Sequence, residues 1–420
     1  MSSEVVMLVL PFPAQGHLNQ LLHFCRLVLS SSNNTIPIYF LSSATHNRQA
    51  KTRLHGWNTS EYSNLRFHNL HVPSYSTPPP DLSSLENFPA HLQPAFDATQ
   101  IYLQTQLDKL LRSFSTSYRR VIVVHDSLMS SFSTFEGGGV ESYAFHSVSA
   151  FANLLFQWES RETISGNRVK SLGLSSVSAS SKAVTSSEGC FTTEFLEFIR
   201  RQHKLTAVDS GRIINTCLPI EDKFIDLFAR EPILNRKPLF HIGPLHPLIA
   251  PTTEKSSDDH PHECLRWLDK QPQSSVLYVS FGTTTTMSLR QMNELSAGLE
   301  RSQHSFLWIS READRGDIFT GKGGGTSTIG GIVPKGRGIV VRDWAPQVKI
   351  LAHAAVGGFM THCGWNSCIE SLSYGVPMVV WPMHSDQPRN SVMVTEILRV
   401  GVAVREWSAS TSTSTWKVRE

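Results

Sequence analysis

The stretch WAPQVKILAHAAVGGFMTHCGWNSCIESLSYGVPMVVWPMHSDQ, residues 344–387, decides the fold that this chain is expected to adopt. It alternates apolar runs of strand length, at 356–361 and 376–381, with a helical segment between them. Polar turns follow both runs, at 362–367 and at 384–387. This order is typical of an open parallel α/β sheet, in which ligands bind outside the carboxyl ends of the strands. Both polar turns are therefore predicted to lie at a ligand-binding edge.

Length and composition exclude several classes of protein. At 420 residues the chain can form two domains, and its 40% apolar and 17% charged residues indicate a globular protein. The net charge of +3 is too balanced to favour nucleic-acid binding. The first apolar run, 5–10, is too short for a secretory signal, and no run reaches the length of a membrane helix. The six cysteines lack CxxC spacing, so we expect a cytoplasmic protein without disulfides or zinc.

The first half of the chain alternates predicted strands with predicted helices, which favours a parallel sheet with right-handed crossovers. Strands are predicted at 5–10, 36–41, 65–70, 121–124 and 213–216, of which the last would end the first sheet. Helices are predicted at 17–29, 45–54 and 91–114. The proline-rich segment 73–80 predicts a loop, and the serine-rich segment 171–187 predicts a mobile surface loop.

The second half repeats this pattern after a proline-rich linker. Its helices are predicted at 262–269 and 289–301, and its strands at 276–281, 306–310 and 339–341, ahead of the opening stretch. The glycine-rich segment 321–331 lacks the context of a dinucleotide-binding motif and predicts a surface loop. We therefore expect two facing Rossmann-like domains, at 1–245 and 262–420, joined by the linker 246–261 and separated by a cleft.

The turn at 362–367 opens a predicted helix and can bind an anion. Free N–H groups and the positive end of the helix dipole favour a phosphate there, and His362, Asn366 and Ser367 can donate hydrogen bonds. Glu370 lies four residues after Asn366, so its carboxylate could accept two ribose hydroxyls. Ser367 and Glu370 also match a capping box, so a plain helix start remains an equal alternative on the residues alone.

His17 follows the first predicted strand, at a turn where enzymes of this architecture often place a catalytic group. Asp126 ends another predicted strand and could reach the same crevice. A histidine oriented by a carboxylate is a general base that can deprotonate a hydroxyl near neutral pH. A single histidine at a helix start is more often structural, however, and Asp126 could equally cap the next helix. Spacing alone leaves this pairing open.

Trp344 and Gln347 lie in a loop after a strand, where they could stack on a base and contact its edge, or simply fill the loop. His362, His384 and Asp386 are not at ligand spacing, so no metal site is predicted.

These residues carry a family resemblance. The stretch 344–387 is similar from end to end to the 44-residue consensus box of plant secondary-product UDP-glycosyltransferases. Further landmarks at 13–17, 215–216, 243–245 and 280–283 occur in the order typical of that family. The resemblance covers nearly the whole chain. It implies a fold of the GT-B type, with the sugar donor held mainly by the C-terminal domain and the acceptor by the N-terminal one.

The resemblance also implies roles for individual residues. The donor site would consist of Trp344 and Gln347 for uracil, Glu370 for ribose, Thr283, His362, Asn366 and Ser367 for the diphosphate, and Trp365, Asp386 and Gln387 for the sugar. His17 would deprotonate the acceptor hydroxyl and Asp126 would orient it. Attack on the anomeric carbon would invert an α-linked donor to a β-glycoside. The helix start would offset the leaving-group charge, so that no metal is required.

Three stretches, 125–129, 145–151 and 382–390, resemble the zeatin O-glycosyltransferases of plants. This implies the side-chain hydroxyl of the cytokinin zeatin as acceptor, with a phenolic acceptor as the alternative. UDP-glucose is the expected donor, favoured by Gln387, and UDP-xylose is the other possibility. No cofactor is implied beyond this co-substrate. The expected partners are small molecules alone, and the protein is expected to be a monomer.

The sequence departs from the family pattern in two places. The chain ends after a serine- and threonine-rich run at 408–415, whereas relatives usually continue through a further strand and helices. The segment 136–140, beside the expected acceptor wall, is glycine-rich and looks shorter than in the zeatin O-glycosyltransferases. A C-terminal domain that is truncated is therefore expected. The alternative to an active enzyme is an inactive paralogue that binds a UDP-sugar.

Overall fold

The structure is a computed structural model. It describes residues 4–54, 57–83, 88–130, 139–162, 164–174, 181–248, 262–314, 316–319 and 337–404. The sequence expectations for 136–138, for most of the linker, for the glycine-rich segment 321–331 and for the C-terminal run 408–415 lie outside these residues.

The first sheet has seven parallel strands within the described residues. They are β1 Val5–Leu10, β2 Ile38–Ser43, β3 Leu65–Leu70, β4 Arg120–Asp126, β5 Val140–His146, β6 Gly211–Ile214 and β7 Leu239–His241. Their order across the sheet is β3-β2-β1-β4-β5-β6-β7. The prediction that the segment 213–216 ends this sheet was wrong, because β7 pairs with β6 beyond it. With three residues, β7 is too short to give a periodic signal.

Eight helices accompany this sheet in the described part of the first half. They are α1 Gln15–Ser31, α2 Ala44–Thr52, α3 Gln93–Ser117, α4 Ala150–Ser160, α5 Gly166–Ser171, α6 Ser181–Thr185, α7 Thr193–Leu205 and α8 Leu218–Ala229. The three predicted helices are confirmed. The prediction of a mobile loop at 171–187 was wrong for α6, because Ala183 and Val184 are buried in a hydrophobic core.

The alternating packing of β1 explains its continuous apolar sequence. Val6, Leu8 and Leu10 share one core cluster with residues of α3 and α7. Met7 and Val9 point to the opposite face and pack against α1. A strand covered by helices on both faces has no solvent side, so every position is apolar.

The second sheet has six parallel strands in the part of the chain that the structure describes. They are β8 Val276–Ser280, β9 Ser305–Ile309, β10 Gly338–Val341, β11 Val356–Thr361, β12 Met378–Val380 and β13 Gly401–Ala403. Their order is β10-β9-β8-β11-β12-β13. The accompanying helices are α9 Glu263–Leu268, α10 Leu289–Ser302, α11 Gln347–Leu351, α12 Trp365–Ser373 and α13 Gln387–Val392, with a π-helical turn at Met393–Ile397. The two sheets confirm the predicted pair of Rossmann-like domains.

In each sheet the strand order creates one crevice at the carboxyl ends of the central strands. In the first sheet β1 lies between β2 and β4, and in the second β8 lies between β9 and β11. Ligands bind in open α/β sheets where the strand order reverses in this way. His17 and Asp126 lie at the carboxyl ends of β1 and β4, whereas Thr283 and His362 follow β8 and β11. No helix within the described ranges is long and apolar enough to cross a membrane.

Candidate active site

A cleft of about 1000 Å³ lies between the two sheets and is lined by residues of both halves. Every residue that the sequence assigns to the site lines it, except Asp126, which is fully buried behind His17. The structure therefore brings together two sets of residues that are separated by more than 150 positions in the chain. Hydrogen bonds across the cleft join the two sets, as described below.

His17 and Asp126 are paired. His17 lies in the first turn of α1, directly after β1, and its Nδ1 is 2.7 Å from Asp126 Oδ2. Because β4 is the neighbour of β1 in the sheet, its last residue lies beside that turn. The His17 side chain is 24% exposed and Asp126 is not exposed at all. This arrangement leaves Nε2 of His17 for a ligand in the cleft, which is the geometry of a general base held by a carboxylate.

The electrostatic environment favours a basic histidine. Burial by itself would lower the pKa of His17, but the charge and hydrogen bond of Asp126, with a smaller contribution from Asp386, raise this pKa above its usual value. The Asp126 carboxylate also accepts hydrogen bonds from Ser147 Oγ at 2.9 Å and from the backbone N–H of Leu128 at 3.0 Å. Three donors therefore fix the carboxylate in place.

The turn after β11 presents an uncapped helix start. Gly364 is the N-cap of α12, and no side chain among the described residues caps this helix. The capping-box alternative for Ser367 is therefore not what forms, because Ser367 lies inside the first helical turn. Uncapped N–H groups at a helix start are a ready anion site.

His362 fits this turn through two glycines. A Cβ atom added to Gly282 or to Gly364 would lie 2.6 Å from Nε2 of His362, so a side chain at either position would displace the ring. Its Nδ1 is buried and has no hydrogen-bond partner among the described residues. Burial lowers the pKa of His362 to about 4, so the ring is neutral and can donate one N–H to an anion.

Gln347 and Glu370 form a connected pair. Gln347 Nε2 donates to Glu370 Oε2 at 2.8 Å and to Ser367 Oγ at 3.1 Å. Its Oε1 accepts a hydrogen bond from the hydroxyl of Tyr278 at 3.1 Å. Gln347 thus directs the Glu370 carboxylate towards the cleft. Burial raises the pKa of Glu370 to about 7, although the hydrogen bond from Gln347 opposes this shift.

Trp365 and Asn366 bridge the two halves of the molecule. The indole N–H of Trp365 donates to the backbone oxygen of Asn215 at 2.7 Å, and the ring is buried. Asn366 Nδ2 donates to the backbone oxygen of Gly16 at 2.9 Å, in the turn that carries His17. The indole N–H of Trp365 is therefore already paired, whereas its backbone N–H belongs to the uncapped start of α12.

Asp386 and Gln387 lie at the start of α13 and line the cleft. Gln387 Oε1 accepts from the backbone N–H groups of Met383 and His384, both at 2.9 Å. Its Nε2 lies 3.3 Å from His384 Nδ1, so one amide N–H can still be offered to a ligand. Asp386 Oδ2 accepts from Asn390 Nδ2 at 2.7 Å. Burial raises the pKa of Asp386 to about 6, despite this hydrogen bond.

Phenylalanine rings form one wall of the cleft beside His17. The ring of Phe12 lies 5.1 Å from that of His17 and 4.5 Å from that of Phe96, measured between centroids. Phe88 and Phe195 continue the same wall, with 4.9 Å between their centroids. An apolar slot beside a general base suits a flat, largely apolar acceptor.

Sequence reasoning missed Ser147, Tyr278 and the phenylalanine wall. Ser147 lies in the 145–151 segment, whose resemblance marked a subgroup without a role for this hydroxyl. The described residues bring no three histidine, cysteine, aspartate or glutamate side chains together as a metal site.

Two family models match the chain. Residues 3–247 match the model described as glycosyltransferase, N-terminal domain, and residues 240–415 match UDP-glucoronosyl and UDP-glucosyl transferase. The zeatin O-glucosyltransferase of Phaseolus lunatus is 41% identical, over 98% of this chain and 85% of that protein. The zeatin O-xylosyltransferase of Phaseolus vulgaris is 40% identical, over 96% of this chain and 85% of that protein.

Solved structures have the same architecture. A UDP-glucosyltransferase from Polygonum tinctorium that can glucosylate indoxyl aligns with a TM-score of 0.68 at 28% identity, over 96% of this chain and 85% of that one. A transferase from Siraitia grosvenorii in complex with UDP aligns with a TM-score of 0.67 at 26% identity, over 96% and 89% of the two chains. The chain belongs to the plant UDP-glycosyltransferase family, whose members transfer sugar from a UDP-sugar.

Proposed function

We propose that the protein is an inverting O-glucosyltransferase that moves glucose from UDP-glucose to the side-chain hydroxyl of zeatin. The pairing of His17 with Asp126 at the cleft, opposite the uncapped start of α12, carries this proposal. The names of the two relatives from Phaseolus support the acceptor class. The phenylalanine wall suits the flat adenine ring of such an acceptor.

The proposed reaction follows from the geometry around His17. Nε2 of His17 takes the proton of the acceptor hydroxyl, and the Asp126 carboxylate stabilises the imidazolium that forms. The acceptor oxygen then bonds to the anomeric carbon while the bond from that carbon to the diphosphate breaks. UDP leaves with the electron pair. Attack opposite the leaving group converts an α-linked donor into a β-glucoside.

The donor is proposed to lie along the second half of the cleft. Its contacts are assigned as Trp344 to uracil, Glu370 to ribose, Thr283, His362, Asn366 and Ser367 to the diphosphate, and Asp386, Gln387 and the backbone of Trp365 to the sugar. Gln347 acts by holding Glu370. The N–H groups of α12 and the neutral ring of His362 stabilise the leaving diphosphate, so that transfer proceeds without a metal.

We further propose domain boundaries at 1–245 and 262–420, with 246–261 as the linker. The two family matches overlap at 240–247, around the start of this segment. We propose a monomer that acts in the cytoplasm. All six cysteines are free thiols, which agrees with a reducing compartment.

Gly282→Ala is expected to raise the KM for UDP-glucose by about tenfold or more, since the new methyl group displaces His362. Gly282 has a φ of +78°, which disfavours alanine in addition to the contact with the ring. Gly298→Ala in α10 is the matched control, because nothing lies within 4 Å of its added Cβ. Steady-state kinetics with both variants check this, and an unchanged KM in Gly282→Ala would contradict the role of His362.

The affinity for UDP-glucose is expected to depend on pH through Glu370. A carboxylate accepts both ribose hydroxyls only when ionised, and the pKa of Glu370 is raised to about 7. The Kd should therefore rise by up to about tenfold per pH unit below that value and level off above it. UDP-glucose suits the measurement, because its diphosphate has no proton to lose near neutrality. Asp386, assigned to the sugar, has a pKa raised to about 6, so the comparison is made above pH 6. In that range Glu370→Gln should give by calorimetry a weaker Kd that varies little with pH, and a steep profile in this variant would refute the assignment.

A matrix of donors and acceptors tests the proposed function. UDP-glucose and UDP-xylose are each supplied with trans-zeatin, cis-zeatin, dihydrozeatin and a simple phenol, and products are identified by mass spectrometry. We expect glucose transfer to a zeatin at higher kcat/KM than to the phenol. Preference for the phenol would overturn the acceptor class. Binding of UDP without turnover of any acceptor would identify a UDP-sugar binder instead of an enzyme.

A further inference from the structure

An arm of the donor half extends onto the acceptor half. The described residues 310–314 and 316–319, which follow β9, form what we call the interdomain arm. The Tyr75 hydroxyl donates to the backbone oxygen of Gly316 at 3.1 Å, and the Gly316 N–H donates to Thr77 Oγ1 at 3.3 Å. The guanidinium of Arg48 lies 3.5 Å from the ring centroid of Phe319. The arm is therefore held along much of its length by the opposite domain.

The central contact of the arm is a buried ion pair. Arg53, at the end of α2, donates from Nη1 to Asp314 Oδ2 at 2.5 Å and from Nη2 to Oδ1 at 2.9 Å. The two side chains are 10% and 7% exposed. Arg311 of the arm donates two further N–H groups to Asp314 Oδ1, at 2.9 and 2.7 Å. Asp314 thus remains paired even when Arg53 is replaced, so that a variant at Arg53 leaves no isolated buried charge.

Arg53 also reaches the nucleotide end of the cleft. Its Cζ lies 5.1 Å from the centroid of the Trp344 ring, within the range of a cation–π contact. Arg53 and Trp344 both line the cleft, as does Arg311. Arg53 belongs to the acceptor half and Trp344 to the donor half. A residue of one half therefore forms part of the environment of an aromatic ring of the other half. The Asp314 ion pair fixes the position of Arg53 relative to the ring.

We propose that Arg53 is a positioning residue for the nucleotide base: held by Asp314, it fixes the plane of Trp344 and completes the base site when the two domains are closed. This inference rests on the proposed stacking of uracil on Trp344. Affinity for the donor then depends on a residue of the acceptor domain that contacts neither phosphate nor sugar. The contact acts on nucleotide binding and leaves the proton transfer at His17 unchanged.

A double-mutant cycle tests this coupling. The Kd for UDP is measured by calorimetry for Arg53→Met, Trp344→Ala and the double variant, together with kcat and both KM values. We expect Arg53→Met to weaken UDP binding and to raise the KM for UDP-glucose by about tenfold, with kcat and the acceptor KM within about twofold. In the Trp344→Ala background the same substitution should change the Kd by less than about twofold, because the ring through which it acts is gone.

Arg48→Ala is the matched control. It removes another contact between the arm and the acceptor half, yet Arg48 is exposed and does not line the cleft. Its Kd for UDP should match that of the wild type. An equal loss in Arg48→Ala, or an undiminished effect of Arg53→Met in the Trp344→Ala background, would overturn the inference. If Trp344→Ala itself leaves UDP binding unchanged, the proposed base platform fails, and the positioning role of Arg53 fails with it.

Discussion

Replacing His17 by alanine is expected to lower kcat by about 10²- to 10⁴-fold while changing the Kd for UDP by less than about twofold. The side chain is the one base whose free nitrogen we place against the acceptor hydroxyl, and it contacts no part of the proposed nucleotide site. Without it, the proton of the hydroxyl must leave to water as the sugar bond forms. Single-turnover kinetics with UDP-glucose, combined with calorimetry of UDP binding, separate the two quantities.

An exposed histidine outside the cleft provides the control for this experiment. His304 is exposed and does not line the cleft, so His304→Ala should leave both kcat and the Kd unchanged. Full activity in His17→Ala would eliminate the proposed base. A parallel loss of UDP binding would show instead that the substitution disturbs the donor site.

Asp126→Asn is expected to lower kcat by about 10²- to 10³-fold, because an amide cannot serve the three donors that the carboxylate serves. Oδ2 accepts from His17 and Ser147, and Oδ1 accepts from the N–H of Leu128. Whichever oxygen becomes NH₂, it faces a donor. The NH₂ of the amide therefore repels either the N–H of His17, which turns the ring out of its productive orientation, or the N–H of Leu128 in the turn that follows β4.

The pH profile of Asp126→Asn tests whether the negative charge of Asp126 raises the pKa of His17. Asp126 contributes to raising the pKa of His17, so removing its charge should lower that pKa. The acidic limb of the profile of kcat against pH is therefore expected to move to lower pH, while the plateau falls. A limb that moves to higher pH, or a plateau that is unchanged, would contradict the assigned role of the carboxylate.

The sequence predicted those parts of the fold that depend on long or continuous apolar runs. β1 and β11 were predicted with their observed bounds, because each is a buried strand between clear turns. β7 and β13 were missed because three residues are too few to give a periodic signal. β5 has seven residues but was missed because its sequence mixes polar and apolar side chains. Helix α6 was hidden by its serine-rich surroundings, although two of its residues are in the core.

The residues of the candidate site also divide into those that are close in sequence and those that only the fold brings together. The turn proposed to bind an anion is local in sequence, so residues 362–367 could be predicted together. The pairing of His17 with Asp126 spans 109 positions, and only the adjacency of β1 and β4 brings the two side chains together. The ion pair of Arg53 and Asp314 spans 261 positions and joins a residue that follows α2 to one that follows β9. No pattern in a single sequence predicts such a contact, because it depends on how two separately folded sheets meet.

Product analysis tests the central claim most directly. Purified protein is incubated with UDP-glucose and trans-zeatin, and the product is examined by mass spectrometry and by NMR of its anomeric proton. The proposed mechanism predicts a single glucoside on the side-chain oxygen with the β configuration, formed together with one equivalent of UDP. An α-glucoside, a glucose on a ring nitrogen, or release of UDP without a glucoside would contradict inverting transfer to the hydroxyl deprotonated by His17.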